Sequence, residues 1–179
     1  MRAVTGFLML TVASAIPAAE LESRVLTHYV PQDLLEKAVS TEGWTEVPLA
    51  IKGGTRKGDV VRIWAGGSID RGNGDQPGDN VNGPTGAPPD DASSVKKLAL
   101  SQEAGHAFAL LFKTDTRGLT KCLPPGKPLE IPLSRNHEKL WVGFNDERGR
   151  YADNHLGKGR RNEFDPLWVR VEVVRTIVD

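Results

Sequence analysis

The segment LWVRVEVVRTIV, residues 167–178, decides the fold class of this chain. Apolar side chains occupy every second position, and they are Leu167, Val169, Val171 and Val173. The residues between them make a second face, which consists of Trp168, Arg170 and Glu172. Because successive side chains of a β-strand point to opposite sides of the sheet, this alternation predicts a half-buried antiparallel strand with its leucine and valine face in the core. The alternation fails at Val174 and Arg175, which predicts that the strand ends or bulges there.

Five more segments upstream have the same β-rich character, and each is bounded by Gly, Pro, Asn or Asp. They are EVPLAIKG (46–53), DVVRIWAG (59–66), AFALLFKT (107–114), PLEIPL (128–133) and KLWVGFN (139–145). Short apolar segments separated by turn residues are typical of a β-sandwich. With 179 residues and 39% hydrophobic content, the chain can bury one sizeable core. We therefore predict a single all-β domain over residues 44–179.

The N-terminal part differs from the rest of the chain. Residues 1–19 combine an early Arg, an apolar run and small residues at its end, a pattern that predicts a signal peptide; the alternative is a buried strand or helix. The apolar run is too short to span a bilayer, so no membrane insertion is expected. Residues 20–43 are predicted to form a connector with one short helix, with Pro31 in its first turn. An exported protein of this kind is secreted, periplasmic or at the cell surface.

Charge and cysteine content narrow the function classes. Lys plus Arg and Asp plus Glu each number 23, and the pI is about 6.9, so nucleic-acid binding is disfavoured. Cys122 is the sole cysteine of the sequence, so the chain has no internal disulfide. Cys122 also lacks a neighbouring His in sequence and is interpreted as buried filler rather than a nucleophile.

Two loops are rich in oxygen ligands. The stretch 66–97 is acidic and rich in glycine and proline, which predicts a long functional or mobile loop; a solvated, turn-rich loop is the simpler interpretation. The stretch NDERGRYADN, residues 145–154, directly follows an apolar strand and concentrates carboxylates and amides. Calcium takes six to eight oxygens from carboxylates, amides and main-chain carbonyls, so this composition suits it. On the residues alone, a capped hairpin explains the loop equally well.

The spacing within the second loop is its most specific feature: the key positions are Asn145, Asp146, Gly149, Tyr151, Asp153 and Asn154. Together with WAGGSIDRG (64–72) and ALLFKTD (109–115) in the same order, this motif resembles the LecA-like calcium-dependent galactophilic lectins. The resemblance runs from about Trp44 to the C-terminus. It implies a jelly-roll-like β-sandwich, similar to galactose-binding domains, with one bound calcium ion. The implied calcium ligands are Asp70, Asp146, Arg150, Asp153 and Asn154, with Asp70 and Arg150 contributing main-chain carbonyls.

The resemblance also implies that a galactose-like sugar bridges the calcium through two ring hydroxyls. The implied sugar contacts are Pro89, Asp91, Asp146, Glu147, Arg150 and Asp153. The family has a His-Pro element in the early loop, which PPDD (88–91) replaces here, and this change can alter the preferred sugar. The chain also carries a basic insertion, HLGKGRRNEFDP (155–166), which is interpreted as a solvated turn or as a contact for an acidic glycan. The sequence is compatible with a homo-oligomer.

Other interpretations remain open from the sequence. An enzyme would use paired carboxylates such as Asp90 and Asp146, with histidines as bases; the available histidines are His106, His137 and His155. None of them lies in a recognisable catalytic motif, so the predicted protein is not an enzyme. A third interpretation is an adhesion module that uses calcium only to stiffen its loops. Among the aromatic residues, Trp64 and Trp141 are expected in the core, whereas the candidates for exposed, sugar-stacking rings are Trp44, Tyr151 and Trp168.

Overall fold

A computed structural model describes residues 22–49, 54–71, 81–87, 95–156 and 165–177. The predicted signal peptide lies outside the described residues, and so do Pro89, Asp91 and most of the basic insertion.

The chain folds into eleven strands and one α-helix within these ranges. The strands of the first half are β1 (Glu22–Tyr29), β2 (Thr45–Pro48), β3 (Val60–Gly66), β4 (Ile69–Asp70) and β5 (Val81–Asn82). Those of the second half are β6 (Leu110–Lys113), β7 (Lys121–Cys122), β8 (Leu129–Pro132), β9 (Lys139–Phe144), β10 (His155–Leu156) and β11 (Trp168–Ile177). The helix α1 (Gln32–Ser40) lies between β1 and β2, and a 3-10 turn occupies Ala104–His106.

Two four-stranded antiparallel sheets form the body of the molecule. The first has the order β1-β11-β3-β8 and the second the order β2-β9-β6-β7, while β10-β4-β5 form a small third sheet. Buried residues from both large sheets belong to one hydrophobic cluster, which includes Ile63 and Val171 from the first sheet and Phe112 and Val142 from the second. The predicted all-β sandwich with a short helix near its N-terminal end is confirmed.

The predicted core face of β11 is also confirmed. Its members, Leu167, Val169, Val171 and Val173, have no exposed surface. Burying a side chain of this size stabilises the fold by about 1.5–3 kcal/mol relative to leaving it in water. β11 is central in its sheet because it pairs with β1 on one side and β3 on the other.

The expected end of the last strand near Val174 is wrong. β11 continues to Ile177 in an unbroken register with β1, in which Arg175 stands opposite Arg24. Arg175 is accepted on this face because its guanidinium binds the buried carboxylate of Asp59 through two hydrogen bonds of 2.9 and 2.7 Å. Because the guanidinium is bonded to both oxygens of a carboxylate, Arg175 needs no solvent contact to satisfy its charge, and the strand can continue.

The connector predicted over residues 20–43 is only partly correct. The helix is present, but it begins after Pro31, which is its N-cap residue rather than part of its first turn. Its buried side chains, Leu35, Ala38 and Val39, join the core cluster. Glu22–Tyr29 is not a linker, because it pairs along its whole length with β11 as an edge strand of the first sheet.

The long loop predicted over residues 66–97 also contains regular structure. β4 and β5 pair antiparallel with each other, and β4 pairs on its other side with β10. The loop therefore returns to the sequence that follows Asn154, which brings the two oxygen-rich loops together.

Candidate functional site

The loop Asn145–Asn154 follows the last residue of β9 and is fixed to its surroundings by Asn145. This side chain is fully buried, and its Oδ1 accepts hydrogen bonds from the amides of Leu100 and Ser101 at 3.0 and 3.1 Å. Its Nδ2 donates to the carbonyl oxygens of Ser101 and His106. All of the hydrogen-bonding groups of the Asn145 side chain are therefore bonded to main-chain atoms of Leu100, Ser101 and His106, and these bonds hold the start of the loop and position Asp146.

Asp146 is the buried acid of the loop, with only 3% of its surface exposed. Its Oδ1 accepts the amide hydrogen of Glu147 at 2.6 Å, and its Oδ2 accepts a hydrogen from Asn154 Nδ2 at 3.0 Å. No ion pair reaches this carboxylate among the residues that the structure describes. Burial raises the pKa of Asp146, and the negative charge of Asp153 raises it further, whereas the hydrogen bonds from Asn154 and Glu147 and the positive charge of Arg71 lower it. The pKa is raised on balance, so a cation bound next to this carboxylate would stabilise its charged form.

Asn154 completes the buried centre of the site. Its Nδ2 donates to the main-chain oxygen of Val39 and to Asp146 Oδ2, both at 3.0 Å, and these two acceptors fix the orientation of the amide. Its Oδ1 is buried and has no hydrogen-bond partner in the described part of the chain. A buried oxygen that lacks a partner costs about 1–3 kcal/mol. A cation or hydrogen-bond donor bound to Asn154 Oδ1 would remove this cost.

Tyr151 is not the exposed stacking ring that the sequence predicts, because only 3% of its surface is exposed. Its hydroxyl donates to the carbonyl oxygen of Phe144 at 2.9 Å and accepts the amide hydrogen of Asp146 at 3.2 Å. Burial raises the pKa of Tyr151, so the phenol stays protonated as this donation requires. Tyr151 thus ties the end of β9 to the loop and positions Asp146.

Asp70 reaches the site through strand pairing. In the small sheet, β4 and β10 are antiparallel, and Asp70 stands directly opposite His155, the residue after Asn154. The predicted early-loop ligand Asp70 therefore stands across from the residue that follows the predicted late-loop ligand Asn154, although Asp70 and Asn154 are 84 positions apart in the sequence.

The other predicted site residues lie around the same loop. Asp153 and Glu147 are partly exposed, and Arg150 is exposed, as expected for a residue that would contribute only its main-chain carbonyl. A tight turn at Gly149, which has φ +75, places these residues on the outer side of the loop. A backbone with this φ favours glycine, which explains its place in the motif.

The arrangement fits a hard cation of the calcium type. Because Asp146 Oδ2 and Asn154 Nδ2 are 3.0 Å apart, Asp146 Oδ2 and Asn154 Oδ1 are separated by at most roughly 5 Å, given the size of an amide group. Two oxygens on one calcium ion can be up to about 5 Å apart. No group of three or more His, Cys, Asp or Glu suited to a metal occurs within the described ranges, so a cation here needs amide and main-chain oxygens as well. Calcium accepts such oxygens readily.

Helix α1, together with Glu42 just beyond its end, covers the inner side of this site. Besides the bond from Asn154 to Val39, Glu42 Oε2 accepts the amide hydrogen of Gly149 at 3.0 Å, and Glu36 Oε2 accepts that of Leu156 at 3.3 Å. A cavity of about 610 Å³ lies between the helix and β10, and it is lined by Gln32, Asp33, Glu36, His155, Leu156 and Pro166. The helical spacing of residues 32–40 indicates a helix, but nothing in it identifies the loop that the helix would contact.

The side chains of the remaining candidates make their contacts elsewhere than with Asp146 and Asn154. His106 contacts Ser101 Oγ and Glu103 within its own turn, at 3.0 and 3.3 Å. His155 is exposed and lies 3.5 Å from Glu36. The pKa of the half-buried Cys122 thiol is raised, mainly by burial, which disfavours the thiolate and agrees with a non-nucleophilic residue.

The exposure of the tryptophan side chains differs from the prediction at two positions, Trp64 and Trp141. Trp168 has an exposed face, with 38% of its surface accessible, as expected. Trp141 and Trp64 are only partly buried and lie on outward faces of their strands, so their assignment to the core is wrong. Trp44 is also partly buried, with the Lys113 ammonium 4.1 Å from its ring centroid.

No protein-family model matches the chain, and neither does any curated protein sequence. Among solved structures, one described as "EclA N-terminal domain; PllA-like lectin" is similar, with 13% sequence identity and a TM-score of 0.40. The similarity covers 89% of this chain and 100% of that chain. Separately, none of the described helices is long and apolar enough to cross a membrane.

Proposed function

We propose that this protein is a lectin that holds one Ca²⁺ in the loop Asn145–Asn154 and binds a galactose-like sugar through it. The observation that carries the proposal is the pairing of Asp146, a buried carboxylate without an ion-pair partner among the described residues, with Asn154, whose buried Oδ1 has no hydrogen-bond partner there. A bound calcium ion would satisfy both groups and would offer free coordination positions to sugar hydroxyls.

The proposed roles of the residues follow their positions. Asp146 and Asn154 would hold the ion from the inner side, with Asp153 as a second carboxylate, while Asp70 and Arg150 would supply main-chain oxygens. Glu147, Arg150 and Asp153 lie on the accessible side, where they would meet the sugar. Pro89 and Asp91 are proposed contacts from the early loop, and both lie outside the described residues.

The proposal includes a location and a mode of action. The protein would act outside the cytoplasm after removal of residues 1–19, and it would bind glycans without chemical turnover. Assembly into a homo-oligomer would add avidity to weak single sites.

The test is calcium titration of the mature chain, residues 20–179, by isothermal calorimetry, followed by a glycan array in calcium and in EDTA. We expect saturable calcium uptake, glycan binding that EDTA abolishes, and loss of both in Asp146→Asn. The matched control is Glu130→Gln, which neutralises an exposed carboxylate on β8 and should change neither. Absence of calcium uptake by the wild-type protein would refute the proposal.

A second function is favoured by one observation: Asp146 and Asn154 are 3% and 0% exposed beneath helix α1. A calcium ion bound there could be closed off from ligands and would then only stiffen an adhesion module. In this case calcium would raise the melting temperature, while no sugar on the array would bind. Glycan binding that depends on calcium would exclude this alternative.

A further inference from the structure

A second pocket lies on the outer face of the second sheet, at the beginning of β9. Its volume is about 470 Å³, within the range of small-molecule sites, and its principal lining residues are Glu46, Asp115, Arg135, Asn136, Lys139 and Trp141. Trp141 points outward because its neighbours in the strand, Leu140 and Val142, are buried in the core. Part of the indole is therefore available to the pocket.

The polar groups around Trp141 are held in place before any ligand arrives. β9 lies between β2 and β6, so Glu46 and Lys113 stand on either side of Trp141. Lys139 forms an ion pair with Glu46, and Arg135 forms one with Asp115. An ion pair leaves the carboxylate with free acceptor positions and the guanidinium with free donors, so both remain able to bind hydroxyl groups.

A second set of contacts fixes the turn that carries Asp115. Its Oδ1 accepts hydrogens from the amide of Arg117 and the hydroxyl of Thr116, at 3.2 and 3.3 Å, and its main-chain oxygen accepts from Gly118 at 3.0 Å. On the other side of the pocket, Thr55 Oγ1 bonds both main-chain groups of His137. Groups that are fixed in this way lose little entropy when a ligand binds.

The charge of the lining selects the ligand class. Its charged residues are Glu46, Asp115 and Glu138 against Arg135 and Lys139, which leaves one net negative charge when His137 is neutral. Burial lowers the pKa of His137, which favours the neutral form at pH 7. A nearly neutral rim of alternating donors and acceptors over an aromatic surface matches an uncharged polyol ring, and its negative balance disfavours sulfated or acidic ligands.

We infer that this pocket is a second saccharide-binding site, which takes neutral sugars and needs no calcium. It is separate from the loop Asn145–Asn154, because Trp141 and Asp146 are five residues apart along and just beyond β9, or roughly 15 Å in extended chain. Two sites at opposite ends of one strand would allow a single domain to bridge two glycans.

The test measures binding to immobilised neutral and sulfated mono- and disaccharides in EDTA, where the calcium loop is inactive. We expect the mature wild-type chain to bind neutral sugars, and to bind sulfated sugars more weakly. Trp141→Ala should weaken neutral-sugar binding by at least about tenfold, because it removes the stacking surface. Arg135→Ala, which changes an exposed side chain and leaves the core intact, should also weaken it.

The matched control is Trp168→Ala, which removes an indole that does not line the pocket, and thermal melts establish that each variant is folded. The inference is overturned if the wild-type protein binds no neutral sugar in EDTA, or if Trp168→Ala weakens binding as much as Trp141→Ala does. These outcomes are distinct from failure of the proposed calcium site, which would appear as a lack of calcium uptake.

Discussion

Replacing Asp146 with asparagine should abolish stabilisation by calcium while changing the calcium-free protein very little. In the calcium-free state two effects oppose each other. The substitution removes a buried charge, which is favourable because burial raises the pKa of this carboxyl. It also places an amide where both carboxylate oxygens accept hydrogens, from Glu147 N and Asn154 Nδ2, so one of these bonds is lost. We expect a net change in unfolding free energy within about 1 kcal/mol.

The calcium-bound state should respond very differently. A ligand that binds only the folded state at 100 times its dissociation constant stabilises it by about 2.7 kcal/mol. For a domain of this size, this corresponds to a rise in melting temperature of about 5–10 °C. The wild-type protein should show this rise, and Asp146→Asn should show none.

The assay is thermal unfolding followed by circular dichroism, in EDTA and in calcium, for wild type, Asp146→Asn and Glu130→Gln. Glu130→Gln should retain the full calcium shift, because its carboxylate is exposed on β8, and β8 belongs to the other sheet from β9, the strand that the loop follows. A calcium shift in Asp146→Asn as large as in wild type would refute the reasoning. A loss of several kcal/mol in EDTA would also contradict it, because the carboxylate would then be a structural anchor.

Three further predictions concern the fold and the pH response. Asp59→Asn should lower the unfolding free energy by about 2–4 kcal/mol in urea titrations, because it breaks the paired, buried carboxylate, whereas Glu130→Gln, in an exposed pair, should cost less than about 1 kcal/mol. The hydrogen bonds from Arg175 lower the pKa of Asp59 in the folded state. The stabilisation is therefore present above the unfolded pKa of about 3.9 and is lost as the pH falls through the lower folded value. In Asp59→Asn, the unfolding free energy should depend less on pH in this acidic range. Because the pKa of Asp146 is raised, calcium affinity in calorimetric titrations should begin to fall at a higher pH than for an ordinary aspartate, and a pH-independent affinity down to about pH 4 would contradict this. Gly86→Ala should lower the unfolding free energy by at least about 3 kcal/mol, since φ is +79 and a Cβ would lie 2.2 Å from a backbone oxygen. Its control, Gly126→Ala, has φ +70 and open space around the position, and should lower it by only about 1–2 kcal/mol. Equal losses in the two variants would show that the close contact at Gly86 is unimportant.

The sequence predicts the sandwich well where alternation is strong and less well where it is not. β11 and the core residues around it follow directly from the alternation of Leu167–Val173. The sequence of β1 does not identify it as a strand, because its pattern is mixed: the exposed fractions of Val25 and Tyr29 are 47% and 62%, so apolar side chains face water. The place of β1 in the sheet depends on its pairing with β11, and the sequence of residues 22–29 alone contains no information about that distant partner.

The candidate site rests on the motif that carries the resemblance, and a motif contains no information about contacts. The spacing of the motif brings Asp146 and Asn154 across one turn, and the structure has a hydrogen bond between them. The same spacing does not reveal that Tyr151 is buried, with its hydroxyl bonded between Phe144 and Asp146. It does not reveal the covering helix either, because the bond from Asn154 to Val39 joins positions 115 residues apart.

The pairing of β1 with β11 has a consequence for biosynthesis. Glu22 is hydrogen-bonded into register with Ile177, and β11 also separates β1 from β3 in the sheet order. During translation β1 therefore has no neighbour until the final described strand has emerged from the ribosome. Contacts between such distant segments are slow to form, so the first sheet should be completed only after β11 has been synthesised.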